Sequence, residues 1–435
     1  MKLLSWEKWE FKLAVFVIAY YVIFSVLIPS NNGLANHLRV LPIEFINEKF
    51  QSDVNFDKVA YVQYATNYEY FNLAILNYVK LRQNKTQVKN LVILINQNLI
   101  HQDDEKFNQL LALAKKNNIK LKATKVINSS VTSTWSSSLT KLQIFNQVEF
   151  DRIVYFDSDS MFVNNSTMDE LFYLPKEINY AMPQAYWLNN KVEKKKTYKN
   201  YSGKIPSKQE YEKIIDKCVE KPYSWDNLPT LVNENHKFDN YDDFFATHVM
   251  MIEPNRKIFQ QLLNYINNPW YWHFISRGKL RKSTDYDMEI INKFFNDLLL
   301  QQQDYKIGIL PHKNYGVLTG EFKEKHHYRF IIEPQYLPFI NKYSPQEWNV
   351  SEIKSNIRLI HFSDSPIPKP WEDQNNYDHY NELKIYCALD LDVEEYNRQF
   401  PSQFKPRLTM DCEAVDAWNS FMNEFNQNRQ GNWVV

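Results

Sequence analysis

Asp157 and Asp159 flank Ser158 at the end of the apolar run Arg152-Ile153-Val154-Tyr155-Phe156. A short buried strand that ends in two carboxylates on alternate positions aims both into the crevice above the sheet edge, where a hard divalent cation can be gripped. Asp285-Tyr286-Asp287 and Asp390-Leu391-Asp392 repeat the spacing, so the triplet informs only together with the strand before it and a partner far downstream. That partner is His361, in the apolar run Arg358-Leu359-Ile360-His361-Phe362, with Lys369-Pro370-Trp371 close behind. Two carboxylates and one imidazole form a mixed oxygen and nitrogen set that suits Mn²⁺ better than Mg²⁺. Lys369 adds a point charge able to follow a departing anion. Singly, a solvated turn and an ordinary strand-end histidine explain these residues as well; jointly they read as a metal site.

The elements that must position these groups follow from periodicity. Residues 59–64 read as a buried strand, 68–81 as the helix covering it, and 91–95 as the next strand. Asp103 is placed to cap a helix through Phe107, Leu110, Leu111 and Leu113; 121–126 is a weaker strand, and 136–148 another helix before the strand that carries Asp157. Strand and helix thus alternate four times in about a hundred residues, which specifies a mainly parallel α/β sheet with helices on both faces. Ligands to such sheets lie at the carboxyl ends of the strands, where Tyr64 and Asp157 emerge. Later, 244–252 and 358–362 read as strands and 287–300 as a helix, while 186–241 reads as an inserted, mostly irregular segment.

Composition bounds the partners. The chain has 435 residues, 44% of them hydrophobic, enough to bury a sizeable core. Fifty-one basic residues balance fifty-one acidic ones, so no global field recruits nucleic acid. Seven glycines, none between Gly33 and Gly203, exclude the Gly-rich turns that cradle phosphate in P-loop and dinucleotide folds. If phosphate is bound, a metal must carry its charge. Residues 11–29 are apolar except for Lys12, and about nineteen residues rising 1.5 Å each cross a hydrocarbon core narrowly. Lys2, Lys8 and Lys12 precede this run and neither lysine nor arginine follows until Arg39, so a single-pass anchor with the bulk in the lumen is expected. The resulting division is a cytoplasmic tail (1–11), anchor (12–29), stem (30–57), catalytic domain (58–374, with the insert) and a C-terminal extension (375–435). Three cysteines allow at most one internal bridge, with Cys387 and Cys412 the expected pair. Glycosylation sequons begin at Asn84, Asn128, Asn164, Asn165, Asn200 and Asn349, which permits a secretory location.

Four motifs in order resemble glycogenin and glycosyltransferase family 8: Val62-Gln63-Tyr64-Ala65-Thr66-Asn67-Tyr68-Glu69-Tyr70, Leu139-Thr140-Lys141-Leu142, Val154-Tyr155-Phe156-Asp157-Ser158-Asp159-Ser160, and His361-Phe362 with Lys369-Pro370-Trp371. With the anchor, the acidic tail and Leu310-Pro311-His312-Lys313, the chain is most similar to the fungal Golgi N-acetylglucosaminyltransferases that act on mannoprotein glycans. The resemblance implies a GT-A-type single domain with a Rossmann-like sheet, a UDP-sugar donor, a mannosylated glycoprotein acceptor, retention of anomeric configuration, and Mn²⁺ held by Asp157, Asp159 and His361. It implies that Tyr64, Thr66, Asn67 and Tyr70 hold the uridine, that Lys141, Ser158, Thr247 and Lys369 contact the donor, and that Asp287 is the active-site carboxylate near the anomeric carbon. The chain departs from the family at Ala246-Thr247-His248, where Asn-Ser-Gly is usual, at Met288 in place of glutamine, and at Asp364 in place of a glycine, with a wider spacing from His361 to Lys369.

Three rivals remain. A glycogenin-like glucosyltransferase would use UDP-glucose and its own tyrosine. A haloacid-dehalogenase-like phosphatase would use Asp157 and Asp159 as nucleophile and acid, but three strand and helix pairs precede this strand, and Met161 stands where Thr or Val is usual. A membrane-tethered glycan-binding scaffold would have kept the fold and lost the chemistry.

Overall fold

A computed structural model of the chain describes residues 37–101, 104–128, 137–185, 208–229, 245–268, 285–301, 305–323, 350–363, 369–371, 385–389, 407–409 and 415–434, with a few single positions besides. The main sheet has eight strands, β1 (Leu38–Val40), β2 (Val59–Ala65), β3 (Asn90–Asn96), β4 (Lys120–Thr124), β5 (Arg152–Phe156), β7 (Ile178–Pro183), β8 (Val249–Ile252) and β9 (Lys306–Leu310). Their spatial order is β1-β9-β7-β8-β5-β2-β3-β4. Every neighbouring pair is parallel except those of β8, which runs antiparallel to both β5 and β7. The mainly parallel, helix-flanked sheet is therefore the one expected.

Both faces of the sheet are dry at its centre, so the central strands are apolar throughout rather than alternating with polar residues. The period of two instead sorts side chains between two cores. Tyr61, Ile93, Val154 and Phe156 join Phe71, Ile75 and Tyr78 of the helix Tyr68–Gln83 on one face. Val62, Leu94, Ile153 and Tyr155 join Leu139, Leu142, Leu262 and Phe294 on the other. Asp157 continues the Tyr155 side, and this parity aims its carboxylate at the second layer rather than the first.

Local signals explain most boundaries. Asn67 caps the helix Tyr68–Gln83 by accepting from the Tyr70 amide, with Glu69 in the first turn and Lys80 and Arg82 in the last. Asp104, not Asp103, caps Glu105–Lys116, since its Oδ1 accepts from the Phe107 amide at 2.8 Å; Asp103 lies outside the described residues. The helix expected over 136–148 is a tighter 3-10 segment, Ser138–Asn146, whose pitch places Leu139 and Leu142 together on the buried face. The strand expected over 244–252 is confined to Val249–Ile252; Phe245 makes only an isolated bridge to Gln184, and Ala246-Thr247-His248 leave the ladder beside Asp157. The late strand is β10 (Leu359–His361), outside the main sheet.

Three expectations about organisation need correction. The supposed stem supplies β1 and a helix, Ile43–Asn47, because Val40, Leu41, Phe45 and Ile46 need an apolar neighbour and find the free edge of β9 and the core beneath it. The segment taken as an irregular insert contains the helix Lys208–Val219, although 186–207 and 230–241 lie outside the described residues. The C-terminal extension is part of the fold, since Phe421, Met422 and Phe425 of the helix Val415–Arg429 pack with Leu73, Ile360, Phe362 and Trp371 in a third apolar cluster. The pair β11 (Ile385–Cys387) and β12 (Arg407–Thr409) lies in this region, and the expected Cys387–Cys412 disulfide forms there; Cys218 is free and buried. The expected anchor falls outside the described residues apart from Lys12, Val15 and Phe16, and no helix among the described residues is long and apolar enough to cross a membrane.

Candidate functional site

A two-stranded ribbon brings the distant histidine to the carboxylates. β6 (Ser160–Phe162) begins directly after Asp159 and pairs antiparallel with β10, placing His361 opposite Ser160, Ile360 opposite Met161 and Leu359 opposite Phe162. The Phe362 amide then donates to the Asp159 carbonyl at 2.9 Å. The apolar side chains of Met161, Ile360 and Phe362 lock this register, because slipping one residue would turn them outward. The hydrophobic pattern of two short strands thereby fixes where an imidazole meets two carboxylates.

His361 Nε2 lies 3.2 Å from Asp159 Oδ1 and 3.8 Å from Asp157 Oδ2. One ligand atom from each of Asp157, Asp159 and His361 falls within 4.8 Å of the others, the only such group among the described residues. The remaining oxygens are held from outside: Asp157 Oδ1 by Lys141 Nζ at 3.0 Å and by the Tyr155 hydroxyl, and Asp159 Oδ2 by Lys369 Nζ at 2.5 Å. Two oxygens and one nitrogen thus converge with orientations fixed by second partners, and they fit a divalent cation that accepts mixed ligands and keeps further positions open.

Burial and charge separate the two carboxyls. Burial raises the proton affinity of Asp157 despite the pull of Lys141. Burial acts the same way on Asp159, but its interactions with His361 and Lys369 outweigh it and hold that carboxyl well below the usual range.

Lys141 is buried. Its side chain is 4% exposed and its Nζ lies 2.5 Å from Asp287 Oδ2, besides the contact with Asp157. Burial opposes the ammonium, yet Asp157 and Asp287 overcome it and push the Lys141 pKa above its ordinary value. Thr247 Oγ1 donates to the same Asp287 oxygen at 3.2 Å. Asp287 opens the helix Asp287–Gln301, as expected, and Lys141 joins it to Asp157. The rival spacing Asp285-Tyr286-Asp287 is thereby explained: Asp285 is buried against Lys293 at 2.6 Å and faces another way. Asp392 of the other rival caps a turn by accepting from the Glu394 amide at 2.8 Å, and Asp390 lies outside the described residues.

No family model matches the chain. A relative described as Glucose N-acetyltransferase 1 from Candida albicans is 46% identical over 459 residues, covering 99% of this chain and 99% of the relative. Its counterpart of the same name from Debaryomyces hansenii is 42% identical over 452 residues, covering 98% and 97%. This chain belongs to the glucose N-acetyltransferase 1 family. That membership agrees with the likeness read from the motifs, a fungal relative of glycosyltransferase family 8, and the chain is a glycosyltransferase. Among solved structures, the apo bifunctional glycosyltransferase WbbM has a TM-score of 0.43 at 15% identity, covering 74% of this chain and 48% of that one. The galactosyltransferase LgtC, in complex with donor and acceptor sugar analogues, has a TM-score of 0.40 at 12% identity, covering 73% and 92%.

In this family member the residues expected at the uridine divide into two groups. Tyr64 joins the cluster: its ring stacks on Tyr155 at 6.3 Å with planes 16° apart, and its carbonyl accepts from Ser158 Oγ at 3.1 Å. Ser158, buried and tied back to β2 in this way, acts in the protein as a strut between strand ends. Thr66, Asn67 and Tyr70 lie on the following turn and helix start; the Asn67 side chain is engaged as the helix cap, and the Thr66 carbonyl accepts from Asn96.

Two residues of the site were not anticipated. Tyr155 holds Asp157 and lies under Lys141 Nζ at 5.4 Å from its ring centroid. Its position two before Asp157 on the same strand face was a usable signal. His248 stacks on His361 at 5.0 Å with planes 30° apart, and its carbonyl accepts from the Asp157 amide. Burial first, then the neighbouring His361, His312 and Lys141, push its pKa well below the ordinary histidine value, so a neutral ring lies against His361. The departure of Ala246-Thr247-His248 from the family pattern marked this position without revealing the contact.

Proposed function

We propose that the chain transfers N-acetylglucosamine from UDP-N-acetylglucosamine to mannose residues of glycoprotein glycans, with retention of configuration and with Mn²⁺, as a type II membrane protein of the Golgi. The observation that carries this reading is the convergence of Asp157, Asp159 and His361, flanked by Lys369 on one side and by the Lys141–Asp287 pair on the other. A divalent cation bound there would balance the diphosphate charge of a nucleotide-sugar donor. Lys369 then supplies further positive charge as the leaving group departs, and Lys141 with Thr247 fixes one oxygen of Asp287 so that the carboxylate faces the anomeric carbon. Tyr64 offers an aromatic face and Thr66, Asn67 and Tyr70 polar groups to the uridine.

The name carried by the relatives supports the choice of sugar. It joins glucose with an N-acetyl group, and these meet in N-acetylglucosamine, whereas glucose itself has no amine to receive an acetyl group. The apolar run at 11–29 and the excess of lysine before it support the membrane orientation. The test uses the full chain in detergent with Mn²⁺, UDP-N-acetylglucosamine, UDP-glucose or UDP-galactose, and a mannoside acceptor. The expected product is an α-linked N-acetylglucosaminyl mannoside, lost on chelation. Transfer from UDP-glucose alone onto a tyrosine of the chain would overturn the proposal for a glycogenin-like initiator.

A further inference from the structure

Four of the six sequons, at Asn84, Asn128, Asn164 and Asn165, begin within the described residues; that of Asn128 runs out of them at Ser129, while Asn200 and Asn349 lie outside. N-glycosylation turns the side-chain amide nitrogen into the point of attachment, so in the folded protein that nitrogen must face open solvent. Asn84 fails this condition. Its Nδ2 donates to the Ser166 carbonyl at 2.6 Å, across 82 residues of chain, and a sugar there would displace the turn that closes the helix Tyr68–Gln83. Asn164 fails as well: its Nδ2 donates to the carbonyls of Lys354 and of Ile357, the latter at 3.1 Å, and so fastens the loop after β6 to the segment that leads into β10. A glycan on Asn164 would pry apart the two strands that bring His361 to Asp159.

Asn165 is the exception. It is exposed, and its sequon Asn165-Ser166-Thr167 is described throughout. Asn164 and Asn165 both have left-handed backbone, with φ of 58° and 52°, a conformation asparagine tolerates. Asn164 is exposed as well, but successive residues in a helical turn of either hand point roughly 100° apart, so the bonds that hold the Asn164 amide to the Lys354 and Ile357 carbonyls leave Asn165 aimed elsewhere. At about 3.3 Å per residue along β6, the loop lies on the order of 15 Å from the carboxylates, at the far end of the ribbon.

We propose that Asn165 carries an N-linked glycan and that Asn84 and Asn164 do not; this rests on the lumenal orientation argued above. The Asn165 amide nitrogen attacks the anomeric carbon of an oligosaccharide carried on a lipid diphosphate. The new C–N bond forms as the C–O bond to phosphate breaks, the amide gives up one proton, and the lipid diphosphate leaves. The glycan marks the flank of the β6–β10 ribbon away from the catalytic crevice.

The experiment expresses the full chain, fused to a C-terminal reporter sequon, in a fungal secretory pathway. Enzymatic deglycosylation in H₂¹⁸O and fragment mass spectrometry then locate each occupied asparagine. Labelled Asn165 beside unlabelled Asn84 and Asn164 is the expected result, and Asn165→Gln should remove one glycan's mass while leaving transferase activity within twofold. Label on Asn84 or Asn164, or a bare Asn165 beside an occupied reporter, overturns the site while leaving the orientation intact. A bare Asn165 with a bare reporter overturns the site and the lumenal orientation together, even if transferase activity persists.

Discussion

Replacing Lys141 by methionine tests whether the buried cation holds the site together. Lys141 Nζ lies 2.5 Å from Asp287 Oδ2 and 3.0 Å from Asp157 Oδ1, and its side chain is 4% exposed. With an effective dielectric near 20, each contact at about 3 Å contributes roughly 5 kcal/mol of gross attraction. Desolvation of the three groups offsets most of this, but removing one partner leaves the carboxylates buried without their counter-charge, which costs about 3–5 kcal/mol. Lys141→Met should therefore destabilise the metal-stripped protein by that amount, measured as a urea midpoint lower by on the order of 1 M. Adding Asp287→Asn removes one orphaned charge and should recover at least about 1 kcal/mol, so the two changes are non-additive. A single-variant loss below about 1 kcal/mol, or strict additivity, would refute the idea that Lys141 bridges the two carboxylates.

Other perturbations probe the frame around the site. Gly316→Ala would place a Cβ 2.4 Å from His312 Nδ1, while the other ring nitrogen is held by Glu321 at 2.8 Å, so the ring cannot withdraw freely; a loss of about 1–3 kcal/mol in thermal unfolding is expected. Cys387→Ser with Cys412→Ser opens a loop spanning 25 residues, worth about 3 kcal/mol to the C-terminal region, and limited proteolysis should then cut between β11 and the last helix first. Asn72→Leu severs two hydrogen bonds to Val434, at 2.7 and 2.9 Å, that tie the chain's end to the helix Tyr68–Gln83. Phe425 beside Trp371 and Arg429 on the Pro370 carbonyl link that end to Lys369, so the donor KM should rise severalfold with kcat nearly unchanged.

The first half of the fold was legible because β2, β3 and β5 are buried on both faces and the helices Tyr68–Gln83 and Glu105–Lys116 have their own caps, which leaves composition and period largely in agreement from 59 to 156. The rest was read less completely. β1 is three residues long, a length at which a hydrophobic period cannot be told from chance, and β10, although read within 358–362, belongs to a two-stranded ribbon whose partner strand no local pattern names. β7 holds a register irregularity between Ile178 and Tyr180, and β9 contains Gly308, where a Cβ would meet Leu41 Cδ1 at 2.3 Å. Such strands are defined by neighbours far away in sequence. In the site, the metal-capable residues were readable because carboxylate and imidazole chemistry is narrow, whereas Lys141 looked ordinary until its burial beside Asp157 and Asp287 was seen. His248 acts through ring stacking on His361, a contact that no local pattern encodes.

The most direct test is a crystal of the chain grown with UDP and Mn²⁺, with anomalous diffraction recorded at the manganese edge. The account predicts one peak about 2.0–2.6 Å from carboxylate oxygens of Asp157 and Asp159 and from His361 Nε2, with the diphosphate completing its coordination and Lys369 turned to the phosphates. A peak held by other residues, or a nucleotide bound with no ion between it and these three side chains, would contradict it.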